Sequence, residues 1–258
     1  MRFSFPEGLR PPTVEQREKF YKDEFDLQNV KNLYYKWSHP TFAIDIGTES
    51  TRYKPRFKKY KGKLVFIRRY EDLEELKSKF ERYSPEDLYY DHRVYRDTDE
   101  KPGPEDMKAS QLVFDLDPEL IDCNSCRLTR KHMKDDDAAS YTFCEGCFEE
   151  TAENTAEMRA FLSKHFNSLN VYFSGRGFHI HVRDEKGFQM SVNDKRELGR
   201  KLAKRFPVDK KITAVEKGLL RLPGSLHGLT GRKVIKVSMN DLKEPLEILY
   251  DKSEPESF

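Results

Sequence analysis

Two periodicities of apolar and polar positions run along this chain, and they separate strands from helices. Leu73, Leu76, Phe80 and Tyr83 recur at helical spacing, with Pro85 just beyond them. A second helix is predicted over 151–166, with Met158, Phe161, Leu162 and Phe166 on one face. A third carries Leu198, Leu202 and Phe206 inward, with Asp194 and Glu197 as its cap signature and Pro207 as its stop. Near the start, Thr13 and Gln16 read as a capping box that opens a helix running to about Phe25. Strand patterns occupy Phe42 to Ile44, Leu64 to Ile67, Gln111 to Asp117, Val171 to Phe173, Phe178 to Val182 and Lys233 to Val237. The segment 97–106, rich in Pro and acidic residues, reads as a loop, and the terminal DKSEPESF as a frayed tail. Strands alternating with helices predict an α/β class, that is, α+β with mixed sheets.

Composition narrows the class. A length of 258 residues allows one domain, or one domain with a small embedded module. With 36% hydrophobic and 12% aromatic residues a core can form, which excludes disorder of the whole chain. No apolar run approaches the ~20 residues of a bilayer span. The opening MRFSFPEGLRPP lacks the apolar centre and cleavage site of a signal peptide. A cytoplasmic protein without a membrane partner is therefore expected, with reduced cysteines.

The net charge of +2 announces no partner, but its distribution does. From Ser50 to Tyr70 there are nine Lys or Arg and no acidic residue, with Tyr53, Phe57, Tyr60, Phe66 and Tyr70 threaded among them. Such a stretch can meet phosphates with its charges and bases with its rings. The competing reading is a solvated, lysine-rich hairpin.

Three segments carry candidate chemistry. In Leu112-Val-Phe-Asp-Leu-Asp117, alternation sends Leu112, Phe114 and Leu116 to the core and sets Asp115 and Asp117 together on the other face. Their Cα atoms are then roughly 7 Å apart. Two carboxylates so close repel unless a cation lies between them, and hard divalent ions prefer carboxylate oxygen. The alternative is a pair of solvated aspartates, although aspartate is a poor strand former. In Ser174-Gly-Arg-Gly-Phe-His-Ile-His-Val182, two glycines permit a tight turn close to a ligand, and Ser174 and Arg176 suit phosphate oxygens. Alternation buries Phe178, Ile180 and Val182 and sets His179 and His181 opposite them, unless these histidines are incidental to a hairpin. The third segment, Leu219-Leu-Arg-Leu-Pro-Gly-Ser-Leu-His-Gly228, places Arg221 and His227 around a Pro/Gly turn and by itself reads as a loop. Asp209, 18 residues before His227, could complete a carboxylate trio.

Cys123-x-x-Cys126, 17 residues, then Cys144-x-x-Cys147 has the spacing of a closed four-thiolate structural zinc site. Four ordinary thiols are the alternative. The predicted module spans 118–150.

Taken together and in this order, these segments resemble the catalytic small subunit of archaeal and eukaryotic DNA primases, from about Thr13 to Gly231. The shared features are FDLDPE, the cysteine module after it, SGRGFHIHV, and an Asp leading to RLPGSLHGLTG. The resemblance implies the archaeo-eukaryotic primase fold over 1–258, with the site between two α/β units. It implies template-directed synthesis of short RNA or DNA primers on single-stranded DNA. Asp115, Asp117 and Asp209 would hold two Mg²⁺ or Mn²⁺ ions as catalytic residues. Ser174, Arg176, His179, Arg221 and His227 would hold the incoming nucleoside triphosphate. Zinc on all four cysteines would leave none for the iron–sulfur cluster of the family's large subunit, so a separate large subunit is the implied partner. One departure stands out: Pro40 and Thr41, after Trp37-Ser38-His39, replace an Arg-Glu pair usual in the family. The chain is also shorter than most of the family, which implies a reduced accessory helical region. Two rival functions remain. One is a gap-filling repair polymerase of the same superfamily, as found fused to bacterial end-joining ligases. The other is a zinc-ribbon nucleic-acid binder without catalysis.

Overall fold

A computed structural model describes residues 9–33, 40–96, 104–121 and 144–258. Its strands are β1 (Phe42–Asp45), β2 (Val65–Ile67), β3 (Asp87–Asp91), β4 (Arg93–Tyr95), β5 (Met107–Ser110), β6 (Val113–Leu116), β7 (Leu169–Phe173), β8 (Phe178–Val182), β9 (Leu219–Arg221) and β10 (Ile235–Val237). One four-stranded sheet runs β2-β1-β3-β9, the other β10-β7-β8-β6, and β4 pairs with β5. The chain crosses between these two sheets three times, from β3 to β6, from β8 back to β9, and from β9 to β10. Every pairing between these strands is antiparallel, which corrects the expectation of mixed sheets.

Each sheet buries one face under helices. In the second sheet, Leu112, Phe114, Leu116, Val171, Phe173, Phe178, Ile180 and Val182 pack with Phe148, Met158 and Leu162 of α5 (Glu145–Leu162). In the first, Phe42, Ile44, Leu88, Tyr90 and Leu220 pack with Leu76 and Phe80 of α4 (Leu73–Tyr83) and with Phe20, Tyr21 and Phe25. Val113 belongs to this cluster of the first sheet, although its neighbours Leu112 and Phe114 belong to that of the second. The strand β6 therefore has one face in each half of the molecule, and its second face looks toward the first sheet.

The expected capping box is present at Thr13, and the helix does run toward Phe25. Its last turn, Phe20–Glu24, is a π-turn in which the Phe25 N–H donates to the Phe20 carbonyl at 2.9 Å. That wider winding lets Phe20, Tyr21 and Phe25 all reach the core. Two helices begin earlier than expected. Ser191, not Asp194, caps the helix Val192–Leu202, accepting from the Asp194 N–H. Helix α5 opens at Glu145, because Cys147, Phe148, Thr151, Ala152, Thr155, Met158 and Leu162 form one continuous buried stripe. The terminal tail is not frayed. A helix over Leu246–Ser253 packs on the core, the Lys233 N–H donates to the Ser253 carbonyl at 2.7 Å, and the Ser257 N–H donates to Glu24 at 3.1 Å. Much of the basic stretch is helical rather than a hairpin: Thr48–Tyr53 is an α-helix and Pro55–Tyr60 a 3-10 turn anchored by buried Phe57. The loop expected at 97–106 lies mostly outside the described residues; Pro104–Asp106 forms a 3-10 turn.

Candidate active site

The site forms where the free face of β6 meets the turns of the second and third motifs. Asp115 is opposite His179 in the β6–β8 register, and Val113 is opposite His181. Opposed residues share a face, so both histidines stand on the aspartate side, as the alternation predicts. The acidic strand then gains a neighbour. The Asp209 N–H donates to the Asp115 carbonyl at 2.8 Å, and Val208 bridges Leu116. The backbone thus carries Asp209 alongside Asp115 from nearly a hundred positions away. Its carboxylate is occupied locally: it accepts from the Lys211 N–H at 2.8 Å and pairs with Lys217 at 3.1 Å.

Glycines let the three motifs touch. A Cβ on Gly177 would stand 2.4 Å from the Leu116 carbonyl and 2.6 Å from Oδ1 of Asp117. One on Gly175, whose φ is +96°, would stand 2.5 Å from Cβ of His227. No side chain fits either gap. Ser174 closes the turn, its Oγ accepting from the Gly177 N–H at 3.1 Å and its own N–H donating to the Gly177 carbonyl at 2.9 Å. Within the turn Arg176 points back at the acidic strand. Its Nη2 lies 2.5 Å from Glu119 and 3.7 Å from Asp117. Across the cleft, Arg221 donates twice to Oδ1 of Asp87, at 2.7 and 3.0 Å, and Asp87 also accepts from the Gly228 N–H at 2.9 Å. That carboxylate ties β9 to the loop carrying His227.

Burial and charge decide the protonation states. For Asp115, burial alone would raise the pKa, but the adjacent His179 imidazole and the Arg176 and Arg221 charges outweigh it and hold the carboxyl below its ordinary value. Burial and the Asp115 charge push Asp117 above its ordinary value. Burial and the Asp117 charge raise Glu119 further, to about 8. His227 is driven well below the usual imidazole range by burial and then by Arg221 and Arg176. Its Nδ1 accepts from the Thr230 N–H at 3.3 Å, so the neutral ring carries its proton on Nε2. That N–H is a donor suited to an anionic ligand.

The donor set fits a hard divalent cation. Three carboxyl groups, Asp115, Asp117 and Glu119, gather in a largely buried place around one guanidinium, Arg176, more acids than its single charge can keep ionised. Oδ1 of Asp115 is buried without a hydrogen-bond partner; His179 Nε2 is 3.3 Å away but badly aligned for one. Carboxylate oxygens in this state are what Mg²⁺ or Mn²⁺ would coordinate. Among the described residues, no three His, Cys, Asp or Glu side chains already gather as a metal cluster, in keeping with the engaged Asp209.

Sequence reasoning missed Glu119 and Asp87. Glu119 stands two residues past Asp117 in the quoted FDLDPE, and the i, i+2, i+4 spacing was a usable signal. Asp87 begins a strand whose alternation of Leu88 and Tyr90 was not read as one, and nothing local links it to Arg221. His181 is fully buried between Tyr172 and Tyr90, with ring centroids 4.7 and 6.2 Å away, and neither ring nitrogen has a hydrogen-bond partner. Pro40 and Thr41 serve the backbone: the Pro40 carbonyl accepts from the Tyr70 hydroxyl and the Thr41 carbonyl from the Asp91 N–H. Cys144 and Cys147 flank the start of α5, with their sulfurs 3.6 Å apart. Cys123, Cys126 and Trp37-Ser38-His39 lie outside the described residues. No helix among the described residues is long and apolar enough to cross a membrane.

This fold is that of a primase-polymerase domain. It superimposes on the polymerase domain of Mycobacterium tuberculosis Ligase D, solved in complex with DNA, with a TM-score of 0.54 over 98% of this chain and 93% of that one, at 12% identity. Among sequences, a DNA primase small subunit-like protein of Archaeoglobus fulgidus is 34% identical, across 94% of this chain and 90% of that protein. The DNA primase small subunit of Pyrobaculum islandicum is 25% identical, across 76% of this chain and 74% of its own length. No family model matches the chain. The chain belongs to the family of DNA primase small subunit-like proteins.

Proposed function

We propose that this chain is the catalytic subunit of a DNA primase, a nucleotidyltransferase that joins nucleotides on single-stranded DNA into short RNA or DNA primers. The observation that carries the reading is the acidic strand: Asp115 and Asp117 on the cleft side of β6, with a buried oxygen of Asp115 3.3 Å from His179 and with Arg176 and His227 nearby. Asp115 and Asp117 would hold divalent metal. Asp209 would join them as a third ligand once its carboxylate leaves the Lys211 N–H. Bound metal, Mg²⁺ or Mn²⁺ at two sites, would supply a lowered pKa for an attacking 3′-hydroxyl and a positive field for the leaving pyrophosphate. The chain's own residues do the positioning. Arg176 would exchange Glu119 for phosphate oxygens, Ser174 and the neutral His227 offer donors, and Arg221 stays fixed by Asp87. Most of the rate gain then comes from orientation and fixed charge.

The test is primer synthesis on single-stranded DNA by Asp115→Asn. The amide removes a negative charge that would hold the metal, so synthesis should be largely lost, and near-normal synthesis would end the assignment. The same assay started from free nucleotides, or only from an existing primer end, separates a primase from a gap-filling polymerase. A binder without catalysis would show no metal-dependent uptake of nucleoside triphosphate in calorimetry.

A structural zinc belongs to the same reading. Thiolates around zinc at 2.3 Å in a tetrahedron lie about 3.8 Å from one another, and the 3.6 Å between Cys144 and Cys147 supports that use, with Cys123 and Cys126 completing the set. A separate large subunit would be the partner.

A further inference from the structure

After its helical part the basic stretch continues into the edge strand β2, and the first sheet connects that edge to the site. Ala43 is opposite Phe66 on one side and Tyr89 on the other, and Tyr89 is opposite Arg221. Phe66, Ala43, Tyr89 and Arg221 therefore form one row on one face of the sheet, the face turned away from Phe42, Ile44 and Leu88. With strands about 4.8 Å apart, the row is about 14 Å long. Ala43, in the middle of that row, is fully buried, so the surface open to a ligand lies at the outer end.

At the inner end, Arg221 stacks over the Tyr89 ring at 5.4 Å and adds to the field on Asp115 and Asp117. At the outer end, Phe66 is 44% exposed in the middle of a strand, with the Arg68 guanidinium 5.0 Å from its ring centre. Tyr53, 69% exposed, and Leu64 lie in the same stretch. Three of the five large hydrophobics exposed among the described residues thus fall between positions 53 and 66, inside a segment with nine cations and no anion. Protecting an edge strand from aggregation would explain the lysines. It would not explain leaving a phenylalanine bare among them. Exposed rings set between cations suit unpaired bases on a phosphate backbone.

We propose that the outer end of this row is the track that holds single-stranded DNA beside the site, with Phe66 as its base-stacking ring and the cations of 52–69 holding the backbone. The choice of DNA, and the direction toward the site, rest on the primase reading above; the stacking surface itself does not.

The test is fluorescence anisotropy of a labelled oligothymidylate and of a blunt duplex, without metal or nucleotide, so that catalysis does not enter. Phe66→Ala weakens oligothymidylate binding about tenfold, in line with the loss of one stacked base. Phe66→Trp keeps it, and duplex binding is weaker and indifferent to both changes. Thermal melting of Phe66→Ala guards against a folding defect, which the exposure of the ring makes small. Unchanged oligothymidylate affinity in Phe66→Ala overturns the proposal and leaves the surface to a protein partner. Equal loss on single strand and duplex also overturns it, since that is attraction without stacking. Should the chain bind as expected yet make no primers, the track stands and the primase reading falls. Should it make primers while Phe66→Ala binds normally, the track alone falls.

Discussion

Two buried arginines face each other across the cleft, and their charge balance differs. Arg221 has Asp87 to itself in a close double hydrogen bond, and that carboxylate is further held by the Gly228 N–H. Arg176 meets Asp117 and Glu119, with Asp115 behind them. The first pair is locally neutral and completes the loop that carries His227. The second group has more acids than cations, and the surplus appears in Glu119, raised to about 8. A closed, balanced pair does structural work; an unbalanced one marks where a cation or a triphosphate enters.

Breaking the balanced pair is expected to have the largest effect on stability. Asp87→Asn leaves the Arg221 charge buried without its partner, at a cost of about 3 kcal/mol or more in urea unfolding. A loss under about 1 kcal/mol would mean that the pair is worth no more than a surface bridge. Arg176→Ala should instead leave stability nearly unchanged or higher with no ligand present, because the carboxylates it meets can take up protons. Its loss shows in ligand affinity: metal-dependent nucleoside triphosphate binding weakens by about 2 kcal/mol, roughly 30-fold, in calorimetry. Equal affinity in the variant would remove Arg176 from the clamp.

The smallest effect is a change of slope. Glu119 titrates at about 8 in the folded chain against an ordinary 4.5. The folded state therefore holds a proton that the unfolded state releases, and stability falls as pH rises from about 4.5 to about 8. In Glu119→Gln that contribution is absent. Melting temperatures of the metal-free variant should thus fall less than those of the parent chain across this window. Parallel curves would show that Glu119 is ionised in the folded chain throughout.

The same contrast explains what could be read in advance. Asp115, Asp117, Ser174, Arg176 and His179 lie on contiguous strands and a turn, where period-two alternation and glycine spacing fix which side chains stand together. Which of them stand on one side was legible, as were the helix at 73–83 and the hairpin of β7 and β8. Asp87 was not, since its partner Arg221 is 134 positions away. The early start of α5 was hidden because Gly146 and Cys147 read as part of a metal knuckle rather than as a helix.

By itself, the sequence determined the faces: which residues of β6 and β8 go to the core, which to the cleft, and where glycine is obligatory. Those choices follow from local geometry, because side-chain direction repeats along a strand whatever lies beyond it. Only the tertiary structure decided how the faces meet. It laid Asp209 along β6 while engaging its carboxylate with Lys211 and Lys217, closed Asp87 on Arg221, and packed His227 against Gly175. It also made Glu119 an abnormal acid, because burial and the field of neighbouring charges are sums over everything near a group, and the near groups come from distant parts of the chain.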